Sequence, residues 1–184
     1  MSEIGADYKI VIRDADGTIV RVHSGESDSF VKNFQLLLEA GMRDSAVTVK
    51  DLSGVNRSCK GFSCITASDP SGVATRHILA GASATPVSAS DYSLGSQIAN
   101  STLRYEPGLV NPQVPTISDG FVKSQIASRS FTNVTAEKVS VRELGIAVLS
   151  STFNVLILRD APLSGIEVPA GGGIGVVYTF KTGI

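Results

Sequence analysis

The stretch Gly173-Ile174-Gly175-Val176-Val177-Tyr178-Thr179-Phe180 decides the fold class. Ile174, Val176, Tyr178 and Phe180 recur at strict period two, the spacing that sends successive side chains to opposite faces of a strand. Upstream of it, 121–131, 138–149 and 153–159 are rich in β-branched and aromatic residues. The apolar phase slips near Arg142, from Val139 and Val141 to Leu144, Ile146 and Val148, which predicts a β-bulge there. At the other end of the chain Tyr8, Ile10 and Ile12 alternate with Lys9, Val11 and Arg13. Asp14-Ala15-Asp16-Gly17 then supplies turn chemistry, and 18–22 returns as a β-branched strand, a hairpin pattern. Val47 and Val49, 61–66 and 76–80 read as further strands.

One segment has helical spacing. Ser27, Asp28 and Ser29 are good N-caps, and Phe30, Val31, Phe34, Leu37 and Leu38 form an apolar stripe that ends at Gly41. Lys32, Gln35 and Glu39 fall on the water-facing side. Between 81 and 118 the pattern loosens around Pro86, Pro107, Pro112 and Pro115, a length too great for an ordinary connection. The expected fold is therefore mainly β: an antiparallel, jelly-roll-like β-sandwich with one packed helix and a long proline-containing loop or arm. It spans 1–184 as one domain, with hairpin and helix in 1–42, the loop or arm in 81–118 and core strands in 119–184.

The 184 residues suffice for a core without metal or disulfide support. Charged residues make up 18%, against about a quarter in ordinary domains, and tryptophan is absent beside 18 glycines. Such a composition suits either a surface partly covered by neighbours, where charge is depleted, or a turn-rich β-domain. A net charge of −1, with Lys and Arg scattered singly, gives no basic field for nucleic acid. The first residues lack the basic and apolar regions of a signal peptide, and no apolar run approaches the ~20 residues a spanning helix needs. The expectation is a chain made in a cytoplasm that stays soluble until it assembles, without membrane or nucleic-acid partners.

Several motifs invite a chemical reading. The run from Lys9 to Ile19 holds an apolar strand followed by Asp14-Ala15-Asp16-Gly17-Thr18, the nucleophile pattern of haloacid-dehalogenase-type phosphatases, in which two carboxylates act as nucleophile and as acid and base. The late acidic pair that such chemistry needs for magnesium does not follow, and an Asp-Gly hairpin turn accounts for the residues. A calcium loop starting at Asp14 fails at Ile19 and Gly25. Pro169-Ala170-Gly171-Gly172-Gly173-Ile174-Gly175 has phosphate-loop composition but runs into a strand, so a glycine-rich turn fits better. Cys59 and Cys64 have too few histidines around them, only His23 and His77, for a structural zinc site. They can form a local disulfide or stay reduced. No residue is therefore nominated as catalytic, cofactor-binding or metal-binding, and the chain is expected not to be an enzyme.

A resemblance covers most of the chain in short pieces. Ile78-Leu79-Ala80-Gly81-Ala82-Ser83-Ala84-Thr85-Pro86-Val87 followed by Ser90-Asp91-Tyr92-Ser93-Leu94 resembles a segment of tailed-phage virion proteins. The likeness continues through Phe131-Thr132-Asn133-Val134-Thr135, 139–146, 156–160, 166–171 and 176–180, and Asp28-Ser29-Phe30-Val31-Lys32-Asn33-Phe34 is similar to an element found ahead of it. The resemblance implies a β-sandwich structural protein, a capsid decoration or minor capsid accessory protein of the virion. It would act as a homo-oligomer and contact other virion proteins such as the major capsid protein, with 81–118 lying across a neighbour. An alternative is a tail- or neck-associated receptor- or glycan-binding β-module, with Tyr92 and Tyr105 as the aromatic candidates.

Overall fold

The computed structural model describes residues 4–27, 29–43, 45–60, 68–109, 116–118, 121–150 and 152–183. The first hairpin is present as expected: β1 (Ile4–Arg13) pairs antiparallel with β2 (Ile19–Ser27). The helix α1 (Lys32–Arg43) follows, then β3 (Ala46–Lys50), β4 (Asn56–Lys60), β5 (Ser68–Asp69) and β6 (His77–Gly81). Next come β7 (Leu103–Leu109), β8 (Thr116–Ser118), β9 (Phe121–Asn133) and β10 (Val139–Val141). The last four are β11 (Glu143–Ser150), β12 (Phe153–Asp160), β13 (Ile166–Val168) and β14 (Gly173–Gly183). The large sheet runs β2-β1-β14-β9-β7-β5, with β8 beside β9, and a three-stranded sheet runs β12-β11-β6. Every strand pair is antiparallel. The chain is a β-sandwich-like protein with one helix.

Period two does its work in β14, where Ile174, Val176 and Tyr178 are buried and the residues between them only half so. They join Ile10 and Ile12 of β1, Phe131 of β9, and Leu103 and Tyr105 of β7 in one core with Ile78, Leu144, Ile146 and Leu158 of the smaller sheet. In β11 the alternation is lost, because residues 143–148 are all buried. The large sheet packs against the small one, and within the loop 82–98 residues 96–98 run along the outer edge of β6, where Ile98 donates to Ala80 O and Ala82 to Ser96 O. A Cβ placed on Gly145 would stand 2.8 Å from Leu94 Cδ2.

Three expectations need correction. The phase slip at Arg142 is not a bulge: β10 pairs with β13 in a separate two-stranded sheet, and at Arg142 the chain passes into the three-stranded one. The register shift within β11 falls later, between Ile146 and Ala147. The helix starts at Lys32 rather than at the Ser27–Ser29 caps, because the backbone of Ser29 and Val31 is taken up by Arg159 and Ile157 of β12. Phe30 thereby becomes a bridge opposite Leu158 and stacks on Phe34 and Phe180, and the helix continues through Gly41 to Arg43. The third correction concerns 81–118. Its first part is a loop, but it is seated on the small sheet rather than extended, and 103–109 is a strand within the large sheet with Leu103 and Tyr105 fully buried. An arm must be removable from the core, and this segment supplies part of it. The expected strand over 61–66, and Cys64 with it, lies outside the described residues.

Candidate functional site

Asp14 and Asp16 sit at the exposed tip of the β1–β2 hairpin, where both carboxylates accept from the Thr18 amide at 2.9 Å. A hydrogen bond between the two raises the Asp14 pKa and lowers that of Asp16. The same bonds explain why the motif is there: they close a turn between antiparallel strands. The glycine-rich segment 169–175 likewise joins β13 to β14, with Gly171 at a φ of 67° and Gly172 against the Arg13 carbonyl. Cys59 is buried in β4, its Sγ 2.9 Å from Ser150 Oγ. His23 lies on β2 with a buried Nε2, and His77 is buried at the start of β6. Among the described residues no group of three or more His, Cys, Asp or Glu side chains is placed to hold a metal ion.

The two tyrosines separate. Tyr92 is half-buried beside Gly54, with the Lys50 ammonium 5.3 Å from its ring centre. Tyr105 is fully enclosed, its hydroxyl 3.1 Å from the carbonyls of Ala80 and Ile98 and its ring edge-on to Phe131. Burial raises its pKa. A glycan cannot stack on it.

The charged groups that organise the interior are ones the sequence patterns passed over. Arg159, at the end of β12, reaches Glu143 Oε2 at 2.8 Å and Asp91 Oδ2 at 2.7 Å. Glu143 also accepts the amides of Ser83, Gly95 and Ser96, so the pair clamps the 82–98 loop to the sheet. Burial works against the Arg159 charge, yet the bonds from Asp91 and Glu143 outweigh it and hold the pKa above its ordinary value. Arg129, in the middle of β9, forms a second joint through backbone carbonyls. It donates to Val73 O at 2.7 Å, Glu106 O at 2.9 Å, Arg76 O at 3.0 Å and Ile78 O at 3.2 Å. Its guanidinium lies 5.1 Å from the Tyr105 ring centre, and burial lowers its pKa. The available signal was charge set among apolar strand residues, Arg142-Glu143 between Val141 and Leu144 and Arg159-Asp160 after Leu158, since such charges are almost never fully buried unless paired.

What remains open is surface. On the outer side of the large sheet a shallow groove of about 430 Å³ passes between the hairpin tip and Pro107–Leu109, floored by Gly173, Gly175, Ser128 and Ser130. Beside it β2 is the end strand among the described residues, with Ile19, Val20 and Val22 each about half exposed at 51%, 51% and 49%. An end strand offers unpaired backbone groups to another chain unless charge, proline or a covering loop blunts it. Here 19–27 carries no lysine and no proline, and its charges are the exposed Arg21 and Glu26.

No protein-family model, no curated protein and no solved structure matches the chain. The class of protein that fold and surface define is an antiparallel β-sandwich whose buried charges fasten loops and whose open features are a sheet edge and a sheet face. No helix of the described residues is long and apolar enough to cross a membrane.

Proposed function

We propose that the protein is a structural subunit of a viral particle, a capsid decoration or accessory protein that joins copies of itself and other virion proteins such as the major capsid protein. It would be made in the host cytoplasm and act as part of the virion. The observation that carries the assembly part is β2, an end strand with three exposed β-branched residues and no blunting lysine. A second copy adding there would extend the sheet by backbone hydrogen bonds, the mode of recognition open edges favour. The virion part rests on the phage-like segments of the sequence, two of which meet in the clamped loop around Asp91 and Glu143.

Sedimentation of the purified chain, and mixing with bare particles, tests the reading. Oligomers or bound particles are expected, and both should be lost in Val22→Lys while the unfolding midpoint changes little, since substitution at an exposed site moves stability by about 0.5 kcal/mol or less. A wild-type chain that stays monomeric and never joins a particle overturns it.

A further inference from the structure

His77 is the least comfortable residue in the molecule. It is 1% exposed, and neither ring nitrogen has a hydrogen-bond partner of normal geometry. Its φ is 66°, in the left-handed region that most non-glycine residues avoid, whereas the other positive φ angles among the described residues belong to glycines. Strain of this kind persists only where the surroundings enforce it. The enforcing contact is Gly108 of β7, which the imidazole covers so closely that a Cβ there would lie 2.8 Å from the ring.

The position is a joint. β6 is an outer strand of the three-stranded sheet, and Gly108 belongs to the large one, so the ring lies between the two layers. Two charged groups face it. Arg129 comes from β9, and its field opposes a proton on the ring; Asp69 comes from β5 and favours one, but its carboxylate is already paired with Arg76, the residue before His77. Leu109 on β7 contributes only a backbone group that favours the charged form. With Arg129 and Arg76 against Asp69, the joint already holds more positive than negative charge.

We propose that His77 is an acid-sensitive release: protonating its imidazole sets a further cation against Arg129 and loosens the seam where β6 meets β7. The proposal stands on the seam itself and holds whatever the protein assembles with.

Burial first, and Arg129 second, bring the His77 pKa from 6.5 down to about 4. The sign follows from linkage. Above about pH 6.5 the ring is neutral in both folded and unfolded chains, and His77 leaves stability untouched. Between pH 6.5 and 4 the unfolded chain takes up a proton that the folded chain refuses, so stability falls as pH drops. Below about pH 4 both states carry the proton and the loss is complete, roughly a 300-fold fall in the folded-to-unfolded ratio for a displacement of that size.

The test has two arms. With His23→Gln removing the other histidine, the native imidazole is followed by NMR through a pH series; it should stay neutral to near pH 4, and titration near 6.5 overturns the proposal. In the second arm, denaturant unfolding of His77→Asn is compared with wild type from pH 7.5 to 4. Asparagine tolerates left-handed φ and does not titrate, so the variant should lose stability less steeply with acid, and the two curves should diverge by roughly 150-fold at pH 4. Parallel curves overturn the proposal. If the variant does not fold, the first arm decides alone, together with hydrogen exchange on the wild type. There, amides of 77–81 and 103–109 should open at acid pH before those of 143–150, and the reverse order counts against the release.

Discussion

Two buried arginines fasten this molecule, and they do it by opposite means. Arg159 is held by carboxylates, Glu143 and Asp91, and its charge is favoured where it stands. Arg129 is held by four carbonyl oxygens and an aromatic face, and burial works against its charge. The first joint ties a loop to the small sheet; the second ties the 73–78 segment to β7 and β9 of the large sheet. A charge balanced by an opposite charge is indifferent to its neighbours. Around Arg129 the carbonyls are joined by Asp69, which favours its charge, yet its field still opposes a proton on His77. The lesson is that a buried cation's partners, more than its burial, decide whether the surrounding structure responds to pH.

The comparison can be broken most sharply at Glu143. Glu143→Ala takes from Arg159 its fully buried carboxylate and from three loop amides their acceptor, and chemical denaturation should show a loss of about 3–5 kcal/mol, the range for breaking a buried pair from one side. Arg129→Met removes a cation whose partners are carbonyls and strands no carboxylate of its own. It should lose less, about 2–3 kcal/mol, since neutral acceptors left unsatisfied cost about 1–3 kcal/mol and some regain water. It should also narrow the acid sensitivity of wild type, because the field acting on His77 is gone. Asp91→Asn should have the smallest effect, about 1 kcal/mol or less, because Asp91 is partly exposed and Glu143 remains on Arg159. Equal losses at Glu143 and Arg129 would erase the distinction between the joints.

Much of this was legible in the chain. The hairpin over 8–22 and the alternation at 174–178 show in the structure because turn residues and period two are local properties that burial only reinforces. Position 142 misled because a change of phase looks the same whether a strand bulges or changes sheet; only the identity of the pairing strand, β13 before it and β6 with β12 after, separates them. The segment 81–118 misled for a related reason. Prolines and small polar residues announce an irregular backbone but say nothing of what it lies on, and the Pro107 in β7 sits where the pairing with β9 is interrupted, between Tyr105 and Gly108. Of the candidate residues, the aspartates at the hairpin tip close a turn as expected, while Tyr105, a candidate aromatic only for the alternative glycan-binding module, is buried. His77 and Arg129 have no local pattern to announce them, and the Glu143–Arg159 pair shows in the sequence only as charges set in apolar runs.

The sequence alone determined that this is an antiparallel β protein with one helix, because alternation, turn chemistry and a single helical stripe are written within a few residues of one another. Tertiary structure decided which charges became buried anchors and which histidine came under strain. Val73, Arg76, Ile78 and Glu106 meet Arg129 from up to 56 positions away, and no local spacing encodes a meeting that depends on how two sheets close on each other.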